Sequence, residues 1–278
     1  MPELPEVETI RRQLDPVLVG QTVERVDVLW HKSLVFQGVG TAPLVGHRVE
    51  AVARRGKMLI FSLDGDLSML AHLRMTGQLV WSDGGGTGGR DVATRVVIWF
   101  EGGGVLLFND QRKFGSLVVL ATDQVGAEGL LARMGPEPLA DMFDAGALGA
   151  GLSRRPRSTV KAALLDQTVV AGVGNIYADE VLWAARVHPE STTSALGAVQ
   201  LEAIVRGLVE VLTTSLERGG ATMRNYVDAA GNRGTYLDVA HVFGRTGQPC
   251  GRCGAAIAKI RVAGRGTHVC TGCQVLFT

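Results

Sequence analysis

The pattern of hydrophobic and polar positions divides the chain into a strand-rich half and a helix-rich half. Apolar residues near helical spacing predict one helix over residues 5–19, which Pro5 can begin and Gly20 can end, although Pro16 interrupts it. Short β-branched and apolar runs then predict the strands Val23–Val28, Val49–Val52, Met58–Leu63, Leu67–Leu73, Val96–Phe100, Val105–Phe108 and Leu117–Leu120. Asp64-Gly65 and Gly102-Gly103-Gly104 are turn signals between such runs. This half is predicted to be an antiparallel β-sandwich with one N-terminal helix.

The second half has helical periodicity. Met134–Pro138, with two prolines and a glycine, is typical of a linker. Beyond it, apolar spacing predicts helices over Thr159–Leu165, Asn175–Ala185 and Ala195–Leu216. The prediction is an α+β protein with three parts: a sandwich domain over 1–133, a helical domain over 134–240 and a small cysteine-containing module over 241–278. The glycine-rich stretch 84–89 is predicted to be a loop.

The composition limits the class of protein. The chain has 278 residues, of which 46% are hydrophobic, so it can bury a core and is not intrinsically disordered. No apolar run approaches the roughly 18–20 residues of a membrane helix. The start carries Glu3, Glu6 and Glu8 where a signal peptide has basic residues. We therefore expect a cytoplasmic protein with no membrane partner.

The formal net charge is +1, but the charges are unevenly distributed. Residues 241–278 contain five basic side chains and no acidic one. Two further basic segments are Arg154–Lys161 and Arg54–Lys57. Such surfaces fit a polyanion, or they simply keep the protein in solution, and charge alone does not decide between the two.

All four cysteines lie near the end of the chain as two Cys-x-x-Cys pairs, Cys250 with Cys253 and Cys270 with Cys273, sixteen residues apart. This spacing is typical of zinc sites, because a two-residue gap directs two thiolates at one ion. Disulfides are the alternative, which a cytoplasmic setting disfavours. Four thiolates fill the coordination shell, so the predicted cofactor is one structural zinc ion.

Several motifs follow one another in a recognisable order. They are Met1-Pro2-Glu3-Leu4-Pro5-Glu6-Val7-Glu8 at the start, then Arg54-Arg55-Gly56-Lys57, His72–Gly77, Asn109–Gly115, Asp166–Glu180 and the cysteine module. Together they span nearly the whole chain. In these motifs the sequence resembles the formamidopyrimidine-DNA glycosylase family, base-excision enzymes with a helix-two-turn-helix core and a C-terminal zinc finger.

The resemblance implies a bifunctional DNA glycosylase and abasic-site lyase that binds damaged duplex DNA as a monomer. Once Met1 is removed, Pro2 presents a secondary amine that can form a Schiff base at a sugar C1′, with Glu3 beside it to move protons. Without the resemblance, Pro2 and Glu3 would be read as a helix lead-in. The resemblance also places Glu6 and Lys57 in the active site, although alone they would be a first-turn carboxylate and a solvated charge.

Further residues match positions at which the family contacts DNA. Met75, Arg112 and Phe114 correspond to the side chains inserted into the duplex, where they fill the space left by an extruded nucleotide. Asn175 is expected to cap a helix whose N–H groups receive a phosphate. Lys161 and Arg265 correspond to backbone contacts, and Arg265 is also counted with the catalytic residues.

The chain departs from the family pattern in four places. Arg95, expected to bind DNA, stands where a histidine is usual, Gln111 stands for a proline and Gly264 for a glutamine. The segment 231–237 only approximates the lesion-recognition loop. These departures fall in loops that sense the base, whereas the start, the helical core and the cysteine module keep the pattern.

The predicted substrates are oxidised purines, 8-oxoguanine and formamidopyrimidine, with strand breakage by β,δ-elimination. One alternative is an endonuclease VIII-like glycosylase for oxidised pyrimidines, which the Leu4-Pro5 pair disfavours because those relatives usually carry Gly-Pro. The other is a non-catalytic protein that binds damaged DNA on the same scaffold.

Overall fold

A computed structural model describes residues 1–39, 44–84, 90–129 and 131–278. They divide into two units. The first comprises Met1–Ala132 together with Arg218–Gly234, and the second comprises Arg133–Glu217 together with Thr235–Thr278. The predicted three-part division stays a prediction. The structure shows in addition that Arg218–Gly234, although late in the chain, belongs to the first unit. Most of the glycine-rich stretch 84–89 lies outside the described residues.

The first unit is a β-sandwich that carries helix α1 (Leu4–Leu18). Its strands are β1 (Val23–Val28), β2 (Leu34–Phe36), β3 (Val49–Arg55), β4 (Met58–Leu63), β5 (Leu67–His72), β6 (Gly77–Ser82), β7 (Thr94–Phe100), β8 (Val105–Asp110) and β9 (Ser116–Ala121). One sheet has the order β1-β7-β8-β6 and the other has the order β2-β9-β5-β4-β3. All pairings are antiparallel except the parallel pair of β2 and β9.

The core of this unit lies between α1 and the inward faces of the strands. Helix α1 contributes Val7, Ile10, Leu14 and Leu18, all fully buried. Aromatic side chains from the strands complete it. Burial of these side chains stabilises the packing of α1 on the strands by about 25 cal/mol per Å² of apolar surface. This packing fixes the orientation of α1 relative to the strands and therefore the position of the N-terminus.

The predicted sandwich with an N-terminal helix is confirmed, and every predicted strand is present. Pro16 lies in the last turn of α1, near the end of the helix. Two further strands were not predicted from the sequence: β2, which has only three residues, and β6, which begins with glycine.

The second unit is helical with a terminal hairpin. Its helices are α2 (Ala145–Ser153), α3 (Val160–Leu165), α4 (Asn175–Ala184) and α5 (Ala198–Glu217), and its strands are β10 (Ala258–Val262) and β11 (Arg265–Val269). The helical core and the terminal cysteine module are as predicted, whereas α2 was missed.

One detail of the second unit corrects the sequence analysis. The N-cap of α4 is Gly174, which has an extended backbone, and Asn175 is the first helical residue. Asn175 therefore does not cap α4, and its side-chain amide donates to the Gly266 carbonyl at 3.1 Å. Within the described ranges, no helix is long and apolar enough to cross a membrane.

Candidate functional site

The start of α1 brings three predicted site residues together in a buried position. Pro2 is buried, and Glu3 and Glu6 are 3% and 1% exposed. Glu3 is the N-cap of α1 and forms a capping box with Glu6, whose Oε2 accepts a hydrogen bond from the Glu3 backbone N–H at 2.7 Å. The capping box fixes Glu3, the residue that follows Pro2. The residues that begin α1 are therefore the same residues that form the candidate catalytic group.

The second carboxylate oxygen of Glu6 is used by a distant segment. Glu6 Oε1 accepts from the Ala221 backbone N–H at 2.7 Å, and both groups are buried. Gly220 allows this approach: a Cβ at that position would lie 2.8 Å from Glu6 Oε1, and its φ is +88°. The contact of Gly219–Tyr226 with Glu6 was not predicted from the sequence, in which only 231–237 stood out as a lesion-recognition loop.

Lys57 is the second residue of the two-residue turn between β3 and β4 and is 7% exposed. His72, at the end of β5, pairs in register with Met58, the residue after Lys57. Burial, and then the positive charges of Arg74 and Lys57, lower the pKa of His72 from 6.5 to about 4. His72 Nδ1 accepts from the Arg74 backbone N–H at 3.0 Å, so the neutral ring carries its proton on Nε2.

His72 is therefore a neutral donor beside a buried lysine, an arrangement the sequence analysis did not identify. His72 begins one of the motifs in which the sequence resembles the family. The register between β4 and β5 was the signal that could have placed His72 next to Lys57.

The loop that carries Arg112 and Phe114 is organised by a buried carboxylate. Asp110 is fully buried; its Oδ2 accepts from the Gly115 backbone N–H at 2.7 Å, and its Oδ1 accepts from the Arg112 N–H at 3.2 Å. Thr76 also donates its hydroxyl to Asp110, which ties the Met75 turn to the same centre. We call Met75, Arg112 and Phe114 the wedge.

The three wedge side chains touch one another at the surface. Arg112 Nη1 lies 2.9 Å from the Met75 sulfur, and the Arg112 guanidinium carbon lies 4.7 Å from the centre of the Phe114 ring. Met75 is 48% and Phe114 57% exposed, which is high for apolar side chains. Two apolar side chains and a planar guanidinium therefore project from the surface, on loops that hydrogen bonds to Asp110 hold in place.

Arg95 supports the same loop from β7. Its Nε donates to the Asp110 carbonyl at 2.8 Å and its Nη1 to the Val92 carbonyl at 3.0 Å. The Arg95 guanidinium therefore hydrogen-bonds to the loop, and its predicted contact with DNA stays a prediction.

In the second unit, Lys161 is buried in a charged cluster. Its ammonium lies 2.6 Å from Asp179 Oδ1 and donates to Thr267 Oγ1 at 2.7 Å and to the Gly266 carbonyl at 3.3 Å. Asp179 Oδ2 in turn accepts from the His268 backbone N–H at 2.8 Å. The pair joins α3, α4 and β11, and the predicted contact of Lys161 with the DNA backbone stays a prediction.

Asn175 contacts the hairpin strand that carries Arg265. Asn175 donates to the Gly266 carbonyl from the start of α4, and Arg265 is the exposed residue before Gly266 in β11. The hairpin turn has φ of +48° at Ala263 and +76° at Gly264, the pattern of a type I′ turn. Glycine at 264 therefore has a local structural reason.

The four cysteine sulfurs lie within 4.8 Å of one another. The Cys250 and Cys273 sulfurs are 3.8 Å apart, and those of Cys253 and Cys270 are 3.3 Å apart. A tetrahedral ion with Zn–S bonds of about 2.3 Å requires sulfur separations of about 3.8 Å. The donor set and its spacing fit zinc, and Trp183 Nε1 donates to the Cys250 sulfur at 3.3 Å.

The predicted residues thus form separate groups within each unit. In the first unit, Pro2, Glu3 and Glu6 form one group and the wedge forms another. In the second unit, Lys161, Asn175 and Arg265 gather around Gly266.

Three family models match successive parts of the chain. They are the formamidopyrimidine-DNA glycosylase N-terminal domain over residues 1–117, the formamidopyrimidine-DNA glycosylase helix-two-turn-helix domain over 134–227 and the zinc finger found in FPG and IleRS over 247–275. With the sulfur geometry, the last match shows that the cysteine module holds one structural zinc ion.

Whole-chain relatives agree with these matches. The formamidopyrimidine-DNA glycosylase of Enterococcus faecalis is 40% identical, with 99% of this chain and 98% of the relative covered. A crystal structure of a Lactococcus lactis FPG mutant with Fapy-dG-containing DNA has a TM-score of 0.90 at 38% identity, covering 98% of this chain and 99% of that one. Lactococcus lactis Fpg with DNA containing an abasic site has a TM-score of 0.88 at 38% identity, with 98% and 99% covered.

Proposed function

The chain belongs to the formamidopyrimidine-DNA glycosylase family, whose members are DNA glycosylases of base excision repair, and we propose that this member is both a glycosylase and an abasic-site lyase. It removes the oxidised purines 8-oxoguanine and formamidopyrimidine from duplex DNA and then breaks the strand, as a monomer in the cytoplasm. The observation that carries the proposal is the buried start of α1, where Pro2 precedes a capping box of Glu3 and Glu6.

The chemistry begins at the Pro2 nitrogen, a secondary amine once Met1 is removed. The nitrogen attacks C1′ of the damaged nucleotide, the bond from C1′ to the base breaks, and the base leaves with the proton that the amine nitrogen gives up. Glu3 protonates O4′, so the sugar ring opens to an iminium ion, the Schiff base. A secondary amine leaves no N–H on this cation, so the positive charge persists and acidifies the C2′ proton. Loss of that proton expels the 3′ phosphate, a second elimination expels the 5′ phosphate, and hydrolysis restores the amine.

Glu3 and Glu6 have different tasks in this scheme. Glu6 binds two backbone N–H groups at 2.7 Å and so positions the residues around Pro2. Glu3 follows Pro2 directly and supplies the proton transfer.

The wedge keeps the flipped-out state open. A nucleotide turned out of the stack leaves a gap that apolar and planar side chains can fill, at an unstacking cost of a few kcal/mol that is lower for a damaged pair. Phe114 enters between base pairs, Arg112 hydrogen-bonds to the orphaned base and Met75 fills the gap.

Phosphate contacts come from both units. Lys57 lies in the active site at the phosphate of the lesion, with His72 beside it as a neutral donor. Asn175 and Arg265 hold the DNA backbone, and Lys161 fixes the hairpin at Gly266 between them. Arg95 supports the wedge loop at the DNA surface. Such contacts set register without selecting the base.

Borohydride trapping on duplex DNA with an abasic site tests the reaction class. The full chain without Met1 is expected to form a covalent, reduced adduct, whereas the same chain with Met1 retained is expected to form none because its Pro2 nitrogen is an amide. No adduct from the processed protein would favour the non-catalytic alternative.

An excision panel tests the substrate. We expect release of 8-oxoguanine and formamidopyrimidine to exceed release of thymine glycol under single-turnover conditions. Preference for thymine glycol would favour the endonuclease VIII-like alternative.

A further inference from the structure

The base of the wedge loop is joined to a segment from the far end of the first unit. Asn225 Nδ2 donates to Gln111 Oε1 at 3.0 Å, and Gln111 directly precedes Arg112. Gln78, on β6, donates its side-chain amide to the Asn225 backbone carbonyl. Asn225 is therefore bound by Gln78 of β6 and by Gln111 in the turn after β8, two strands that pair with each other.

The same segment is fixed to Glu6 at its other end. Ala221 donates to the Glu6 carboxylate at 2.7 Å, and the Tyr226 hydroxyl lies 3.1 Å from the Gly219 carbonyl and 3.4 Å from the Glu6 carbonyl. Tyr226 is 8% exposed and belongs to the core of the first unit.

The segment is also braced internally. Thr222 donates its hydroxyl to the Tyr226 carbonyl at 3.0 Å and accepts from the Gly234 N–H at 2.9 Å. Thr222 thus links Tyr226 to Gly234, so the backbone between the Asn225 contact and the Ala221 contact with Glu6 is held by its own hydrogen bonds.

We propose that Gln111 and Asn225 are a positioning pair that couples insertion of the wedge to the contact between residues 219–226 and Glu6. The proposal rests on the function proposed above, because that function makes the wedge and the start of α1 parts of one reaction. While Arg112 and Phe114 occupy the duplex, the bond between Gln111 and Asn225 holds the segment in the position in which Ala221 binds Glu6. Both partners are neutral amides, so the coupling depends on direction and distance and not on charge.

The coupling acts on one step of the reaction. Removal of a base requires that the wedge hold the nucleotide out of the stack while Glu6 is in place. Cleavage at an abasic site has no base to remove and no base to hold out, so it depends less on this coordination. The pair therefore acts more strongly on base excision than on strand cleavage.

The experiment compares two rates in the processed full-length enzyme. Gln111→Ala, Asn225→Ala and the double variant are measured for single-turnover excision of 8-oxoguanine and for cleavage of abasic duplex DNA. Each single variant is expected to slow excision about threefold to tenfold, the effect of losing one hydrogen bond, and to slow abasic cleavage less than it slows excision. The double variant is expected to be no slower than the slower single variant.

Gln200→Ala is the matched control, because Gln200 Oε1 accepts an exposed hydrogen bond from the Gly197 backbone N–H at 3.1 Å in the second unit, which does not contain the wedge. It is expected to change neither rate, and thermal melting should be the same for all variants.

Equal slowing of both rates, no change in excision, or additive effects in the double variant would overturn the coupling while the parent enzyme remains active. If the parent enzyme neither excises the base nor cleaves abasic DNA, the proposed function fails, and this inference fails with it.

Discussion

The Lys161 ammonium lies 2.6 Å from the Asp179 carboxylate, and neither side chain is exposed to solvent. A basic residue that the sequence suggests as a direct phosphate ligand is therefore part of an internal ion pair. Through Thr267 and the Gly266 carbonyl, this pair sets the position of the hairpin that presents Arg265.

Removal of one member of this pair should destabilise the second unit strongly. Asp179→Ala leaves the Lys161 charge buried without its carboxylate, and the free energy of unfolding should fall by about 3–5 kcal/mol. Lys161→Met combined with Asp179→Leu should recover most of the loss, because it leaves no buried charge. Urea unfolding monitored by circular dichroism measures both, and a double variant as unstable as the single one would contradict the account.

The Glu8 cluster predicts a loss of stability in acid. Burial raises the pKa of Glu8, but hydrogen bonds from Arg11, Arg12 and Arg54 outweigh it and lower the pKa from 4.5 to about 2. Because the folded-state pKa is depressed, the contribution of Glu8 is complete above pH 4.5 and is lost as the pH falls toward about 2.

Glu8→Gln should therefore lower the free energy of unfolding at pH 7 by about 2–3 kcal/mol and flatten its pH dependence between 4.5 and 2. Urea unfolding across this pH range is the measurement. A parallel pH dependence in parent and variant would show that Glu8 is not the responsible group.

Chelation of zinc should release the terminal hairpin and change the environment of Trp183. Its indole N–H bonds to the Cys250 sulfur, its ring stacks on His241 at 4.0 Å, and Arg252 lies 3.8 Å from the ring centre. A strong chelator should shift the tryptophan emission to the red and abolish DNA binding, and zinc should restore both. In Trp183→Phe the emission shift should disappear while the loss of binding persists; an unchanged shift would place the reporter elsewhere.

Truncation of the wedge should weaken lesion binding without affecting folding. Phe114 is exposed, so Phe114→Ala should leave the melting temperature unchanged, whereas loss of a base-stacking ring should reduce affinity for lesion-containing duplex by about 1–3 kcal/mol. Met142, 88% exposed in the second unit, gives the control Met142→Ala. Equal losses of affinity in the two variants would contradict a role specific to the wedge.

The strands of the sandwich were predictable because their β-branched runs alternate with clear turn signals. Helix α2 was not, since its sequence, Ala-Gly-Ala-Leu-Gly-Ala-Gly-Leu-Ser, offers little apolar periodicity and is rich in helix-weakening glycine. Strand β6 begins with glycine and mixes polar with apolar side chains, so its run was too weak to stand out.

The candidate site divides in the same way. Pro2, Glu3 and Glu6 are neighbours in the sequence, so a local motif could identify them together. The contact between Glu6 and Ala221 joins residues 215 positions apart, and no local pattern encodes it. The burial of Lys161 likewise depends on Asp179 and Thr267, which come from other elements, and a basic segment by itself reads as a surface.

The central claim is that the Pro2 nitrogen forms the covalent bond to DNA, and peptide mapping of the borohydride-reduced adduct tests it most directly. Tandem mass spectrometry of the proteolysed adduct from the Met1-free protein should find the reduced sugar on the N-terminal peptide, attached to the Pro2 nitrogen. A reduced sugar attached instead to a lysine such as Lys57, with an unmodified Pro2 peptide, would contradict the account.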